Sequence, residues 1–170
     1  MLNRLNIFKL KEKRYNDMTP TFTSKKSFRI IGLQFRGNNN NNECPKLWES
    51  FSKRSDELIP KALKPVNAYG VCSDFEMEQK IFTYTAGLEV SNDATIPEGM
   101  VELQIPEHEY AVFECTLPVL EKTIDYIYKT WLPKSEYKHS ASLEIEYYDK
   151  DFDPQKPESI MYLYIPISKE

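Results

Sequence analysis

The stretch IPEGMVELQIPEHEYAVFEC, residues 96–115, decides the fold, because a turn and two short strands follow one another there. Pro97-Glu98-Gly99 carries the turn signal. Alternating apolar residues predict strands over Met100–Ile105 and Glu109–Cys115, with Glu107-His108 turning between them. These elements begin a pattern that the first part of the chain already contains.

A helix and two further strands follow this stretch. The helix is predicted over Pro118–Trp131, where apolar side chains recur every three or four residues. Proline suits the first turn of a helix, where its missing N–H has no partner to lose. Apolar and β-branched residues then predict strands over Ser142–Tyr148 and Ile160–Ile167.

The preceding part of the chain has the same order of elements. Phe28–Phe35 is predicted as a strand, and a helix is predicted between Pro45 and Pro60. Ala68–Cys72 and Ile81–Val90 are predicted as two more strands. Both halves therefore contain a predicted strand, a helix and two strands in that order, and in the second half the short strand Met100–Ile105 precedes them.

The ends of the two helices also correspond, since LIPK at 58–61 resembles WLPK at 131–134. We therefore predict an internal duplication in an α+β fold, with pseudo-twofold symmetry between the halves. Antiparallel sheets are expected to form a barrel-like domain with a central cleft where the halves meet.

These patterns predict one domain preceded by an extension. Residues 1–20 are expected to be an N-terminal extension or a mobile arm, and 21–170 a single domain. Its two repeats are predicted at about 27–92 and 100–168. The run Asn38–Asn42 is predicted as a loop, because asparagine favours turns.

Composition limits the classes of function. The 170 residues carry a formal net charge of −4, which disfavours nucleic acid as a direct partner. Cys44, Cys72 and Cys115 are odd in number and far apart, which favours neither a disulfide framework nor a zinc site. No window approaches the roughly 20 apolar residues that cross a bilayer. We therefore expect a protein of the reducing cytoplasm that holds no metal and no cofactor.

Alternation along the strands identifies candidate ligand-binding residues. Glu144, Glu146 and Tyr148 share one face of their strand, and Tyr162 and Tyr164 share one face of the next. If the helices cover the apolar face, the carboxylates and aromatic rings point into the cleft. A carboxylate among aromatic rings suits a lipophilic cation. The alternative is a solvated polar face, which is common in antiparallel sheets.

Eight motifs in register, from Phe28 to Ile167, are similar to a known family. They are FRIIGLQFRG, LWESF, YGVC, FTYTAGLEV, IPEGM, IPEHEYAVFEC, YKTWLPKSEY and EYYDKDFDP before YLYIPI. The chain resembles the effector-binding, gyrase-inhibitor-like domains that occur at the ends of AraC-family and MerR-family transcription regulators and as stand-alone bacterial proteins. The resemblance implies the same duplicated α+β fold.

The resemblance also implies a ligand site. A glutamate at the pocket centre corresponds to Glu146, and aromatic pocket walls look similar to Trp48, Tyr69, Tyr148 and Tyr164. Core packing is the alternative role for Trp48. The family's regulators carry a DNA-reading helix-turn-helix domain, for which fewer than 30 residues precede the first strand here, so direct DNA binding is not expected.

Three functions follow from these observations. The first is a protein that senses or sequesters lipophilic, cationic small molecules around Glu146. The second is a hydrolase of reactive small molecules in which Glu146 activates water, although the sequence has no recognisable catalytic triad. The third is an inhibitor that binds a DNA-handling enzyme such as gyrase. Binding without catalysis is favoured, and monomer and homodimer both remain open.

Overall fold

The computed structural model describes residues 18–141 and 143–169. Residues 1–17, most of the predicted N-terminal extension, lie outside the described residues. The strands are β1 (Thr21–Lys25), β2 (Phe28–Gly37), β3 (Ala68–Glu76), β4 (Ile81–Glu89), β5 (Val101–Ile105), β6 (His108–Thr116), β7 (Tyr137–His139), β8 (Leu143–Tyr148) and β9 (Ile160–Lys169). Seven correspond to predicted strands, whereas the short, polar β1 and β7 were not predicted.

Two helical regions accompany the strands. The first is α1 (Glu43–Ser52), followed by 3₁₀ turns at Ser55–Glu57 and Ile59–Lys61. The second is α2 (Leu120–Tyr126), which follows a 3₁₀ turn at Leu117–Val119 and continues as a π-helical turn at Ile127–Trp131 and a last turn at Leu132–Lys134. In the described part of the chain, no helix has the length and apolar character to span a membrane.

All strands belong to one antiparallel sheet, in the order β1-β6-β9-β8-β3-β4-β2-β5, with β7 also paired to β9. The predicted α+β class is confirmed. The predicted barrel is wrong, because β1 and β5 lie at opposite ends of the sheet and do not pair with each other. The sheet remains open.

Two short connections nevertheless force the sheet to curl. β1 and β2 lie six strand spacings apart, about 29 Å in a flat sheet. Only Lys26 and Ser27 join them, a link that spans about 11 Å at most. Pro106-Glu107 joins β5 to β6 under the same constraint. The two ends of the sheet therefore face each other, and Lys25 of β1 forms a 3.3 Å ion pair with Glu89 of β4.

The two halves of the sheet have equivalent strand orders. β2-β4-β3 in the first half corresponds to β6-β9-β8 in the second, and β3 pairs with β8 at the centre. Each half also supplies an edge strand to the other, because β1 pairs with β6 and β5 pairs with β2. Strand pairing therefore joins the halves at the centre of the sheet, through β3 and β8, and at both of its ends.

The curl gives the sheet an inner and an outer face. The inner face carries one apolar cluster that joins both ends of the sheet, including Phe28, Ile105, Tyr110 and Val112. The outer face carries the helices and two clusters. One, beneath α1, includes Ile31, Phe51, Tyr84 and Leu88; the other, beneath α2, includes Phe113, Ile127, Leu163 and Ile165.

The helices cover the opposite face of β8 from the one that we predicted from the sequence. Ile145 belongs to the inner cluster, and Tyr148 belongs to the outer cluster beneath α2. Since side chains alternate along a strand, Glu144 and Glu146 also point to the outer face. The expectation that the helices cover the apolar face of β8 is wrong, because the curled sheet buries that face against itself.

Two glycines allow β2 and β4 to approach closely. Gly32 lies opposite Gly87 in the ladder. A Cβ atom on Gly32 would lie 1.9 Å from the carbonyl oxygen of Ala86, and one on Gly87 would lie 2.5 Å from that of Ile31. Backbone atoms cannot rotate out of the way, so both positions require glycine.

We expect Gly32→Ala to destabilise the domain by about 1–3 kcal/mol or more, because the strands must separate to admit the methyl group. Thermal or urea unfolding measures the change. Gly37→Ala, in the same strand, is the control, since its Cβ would lie 3.4 Å from the nearest atom, in the Phe35 ring. Equal stability of both variants would contradict the close-approach argument.

Candidate ligand-binding site

Glu146 lies on β8 at the centre of the sheet and points to the outer face. Its side chain is partly buried. The hydroxyl groups of Tyr84 and Tyr148 donate hydrogen bonds to Oε2, at 2.5 and 2.7 Å. Oε1 accepts no hydrogen bond from the described residues, so one carboxylate oxygen is left available.

Trp48 on α1 connects the helix to this pair of tyrosines. Its Nε1–H donates to the Tyr84 hydroxyl at 2.8 Å. Its ring meets the Tyr148 ring edge to face, with 5.3 Å between centroids, and Tyr148 also packs on Phe152 at 4.7 Å. The indole, both phenols and the carboxylate therefore form one connected hydrogen-bonded and aromatic group.

Gly70 makes room for this arrangement. It lies directly opposite Glu146 in the β3–β8 ladder. A Cβ atom there would lie 2.2 Å from the Tyr84 hydroxyl oxygen and 2.7 Å from Glu146 Oε2. The hydrogen bond between Tyr84 and Glu146 thus passes through the space that any other residue would fill.

Burial dominates the electrostatics of the Glu146 site. It raises the pKa of the Glu146 carboxyl, the two tyrosine hydrogen bonds lower it in part, and the Glu144 charge raises it. Burial and the Glu146 charge raise the pKa of Tyr84 and Tyr148, so both hydroxyls remain donors. Within the described part of the chain, no salt bridge reaches Glu146.

A second carboxylate lies on the same face, two residues away. The Tyr128 hydroxyl donates to Glu144, whose carboxyl pKa is raised by burial and lowered in part by Tyr128 and His139. Cys72 lies opposite Glu144 in the ladder. Burial, Glu146 and Glu144 raise the pKa of the Cys72 thiol, which therefore stays protonated. The centre of the outer face therefore carries two carboxyl groups, those of Glu144 and Glu146.

The structure brings together three of the five predicted site residues. Glu146, Trp48 and Tyr148 are in contact. Tyr69 and Tyr164 lie on the inner face, on the other side of the sheet, since Tyr69 pairs with Tyr147 and Tyr164 with Ile145. The sheet therefore separates Tyr69 and Tyr164 from Glu146.

Sequence reasoning missed two members of the site, Tyr84 and Gly70. Tyr84 falls within the predicted strand Ile81–Val90, and Gly70 within the motif YGVC, but neither has a signal of its own. Their roles depend on how β3, β4 and β8 are aligned. A single sequence does not reveal that register.

Solved structures of similar fold include the structure of SAV2435 bound to tetraphenylphosphonium. Its TM-score is 0.72 at 15% identity, and the match covers 89% of this chain and 94% of the other. The C-terminal domain of EcmrR has a TM-score of 0.67 at 14% identity, covering 90% and 99%. At these identities the comparison shows a common fold.

Sequence comparison is more specific. The transcriptional regulator BrlR of Pseudomonas aeruginosa is 33% identical over 157 residues, which cover 91% of this chain and 57% of BrlR. The chain therefore spans little more than half the length of that regulator. The family model of the GyrI-like small molecule binding domain matches residues 18–168. Because this match covers nearly every described residue, the chain belongs to the family of GyrI-like small-molecule-binding domains.

Proposed function

We propose that this domain binds lipophilic organic cations at Glu146 and thereby senses or sequesters them. The observation that carries the proposal is a partly buried carboxylate with no cationic partner in the described part of the chain and one oxygen without a donor. Aromatic side chains surround it. A ligand with positive charge and apolar groups complements both features.

Desolvation of the Glu146 carboxylate favours the binding of a cation. A carboxylate withdrawn from water is costly unless it is paired. Tyr84 and Tyr148 offset part of that cost through hydrogen bonds to Oε2, but they supply no positive charge. A bound organic cation supplies the missing charge, and each aromatic face adds about 0.5–2 kcal/mol through cation–π attraction. Binding therefore removes an unfavourable feature of the free protein.

The relatives support the same class of ligand. SAV2435, which has the same fold, is known in complex with tetraphenylphosphonium, a permanently charged aromatic cation. BrlR is a transcriptional regulator. In our proposal the small cation is the direct partner, and any effect on transcription follows from its capture rather than from DNA contact by this domain.

Glu146→Gln is expected to weaken tetraphenylphosphonium binding by about tenfold or more, because it removes the charge attraction between the carboxylate and the phosphonium, and a tenfold change corresponds to about 1.4 kcal/mol. Isothermal titration calorimetry measures the affinity. The variant should melt at or above the wild-type temperature, since the amide oxygen can accept both tyrosine hydroxyls without a desolvated charge.

Glu144→Gln is the matched control, on the same strand and face. A smaller effect than that of Glu146→Gln is expected, because Glu144 lies two residues away and bonds to Tyr128 instead. Unchanged affinity in Glu146→Gln would refute the role of this carboxylate.

Gly70→Ala tests the geometry of the site. The added methyl group must displace the Tyr84 hydroxyl or the Glu146 carboxylate, so affinity for tetraphenylphosphonium should fall by about tenfold or more. The displaced atoms are side-chain ends, so the loss of stability should be smaller than in Gly32→Ala, whose methyl group meets backbone. Wild-type affinity in Gly70→Ala would show that this hydrogen bond is unnecessary for binding.

Binding should also depend on pH. The raised pKa of Glu146 means that the free protein takes up a proton above the pH at which an ordinary glutamate would. Protonation removes the charge that attracts the cation, so affinity should fall as the pH is lowered through that raised pKa. Binding then releases protons. Tetraphenylphosphonium does not titrate, so calorimetry from about pH 4 to pH 8 reports on the protein alone. A pH dependence that persists in Glu146→Gln would assign it to another group.

A further inference from the structure

We propose a second organic-cation site on the inner face of the sheet, separate from Glu146. It occupies a cavity of about 540 Å³ between the β1–β6 edge and the ends of β8 and β9. This volume falls within the range of about 300–1,000 Å³ that is typical of small-molecule pockets. The proposed ligand is a cation that carries aromatic groups.

Tyrosine rings form one wall of the cavity. Tyr147, Tyr162 and Tyr164 line it, and the ring of Tyr147 lies 6.0 Å from that of Tyr162 and 5.5 Å from that of Tyr164. Tyr69 extends the same group at 5.3 Å from Tyr147. The hydroxyls of the three lining tyrosines make no hydrogen bonds to the described residues. The three tyrosine side chains are therefore available to contact a ligand in the cavity.

The charge of the lining selects a cation. Glu114 on β6 and Asp149 after β8 are the charged side chains among the lining residues, and no lysine or arginine is among them. Neither carboxylate forms a salt bridge within the described part of the chain. Carboxylates beside tyrosine faces attract an organic cation through both charge and the ring quadrupole.

An adjoining cavity of about 130 Å³ shows why the cation is placed at the larger one. The smaller cavity also contacts Tyr147 and Tyr164, but Lys25 and Glu89 line it as a ready-formed ion pair. Tyr69 donates to the same Glu89 carboxylate at 2.5 Å. Glu89 in the smaller cavity is already paired with Lys25, whereas Glu114 and Asp149 in the larger cavity have no cationic partner among the described residues.

The sheet separates the two sites. Tyr147 and Glu146 are neighbours on β8 and point to opposite faces, as their partners in β9, Tyr162 and Leu163, show. A ligand at either site does not contact the other. Two cations should therefore bind one chain at the same time, with each site removable by its own substitutions.

The test is calorimetric titration of the full chain with tetraphenylphosphonium. We expect two binding events for the wild type. Glu146→Gln should weaken one of them, and the double variant Glu114→Gln/Asp149→Asn should weaken the other by about tenfold. Tyr162→Leu should weaken that same event by removing a ring. Glu109→Gln, on β6 but on the outer face, is the matched control and should change neither.

The possible outcomes separate the two proposals. A single binding event that Glu146→Gln abolishes and the double variant leaves unchanged would overturn the inner-face site and retain the site at Glu146. Loss of one event in the double variant, with no effect of Glu146→Gln, would support the inner-face site and refute the role of Glu146. Two events that the double variant leaves unchanged would also overturn the inner-face assignment.

Discussion

Two connections of two residues each, Lys26-Ser27 and Pro106-Glu107, set the shape of this domain. Each joins strands that lie six positions apart in the sheet, and neither is long enough to cross a flat sheet. The curl that they impose buries Ile30, Ile105 and Tyr110 on the inner face without any helix. The helices are thereby confined to the outer face, and each candidate site lies on one side of the sheet only.

The duplicated strand order explains why the Glu146 site draws on both halves of the chain. Glu146 and Tyr148 come from the second half, whereas Trp48, Gly70 and Tyr84 come from the first. They meet because β3 and β8 pair at the centre of the sheet. Neither half alone would hold the carboxylate between two donors, so the site is a property of their junction.

The sequence was sufficient to predict the local elements and to place Glu146 and Tyr148 on one face of their strand, but not to predict the arrangement around Glu146. Turn signals and periodicity identified seven strands and both helical regions. Alternation showed that Glu146 and Tyr148 share a face, because that depends only on the two-residue repeat. It could not show which face the helices cover. Tyr69 and Tyr164 were therefore predicted beside Glu146, although the ladder places them on the other side of the sheet.

If Glu146 binds organic cations as we propose, its geometry gives a site that selects charge without selecting shape. Both tyrosine hydroxyls bond to Oε2, which fixes the carboxylate while leaving Oε1 to meet a ligand. A cation–π contact requires only that positive charge lie over a ring face, so cations of different outline can be accommodated. A neutral molecule of the same outline would cover the carboxylate without pairing it and would incur the full cost of desolvation. In the proposed site, discrimination between charged and neutral ligands therefore arises from the unpaired carboxylate, and tolerance of different ligand shapes arises from the aromatic rings around it.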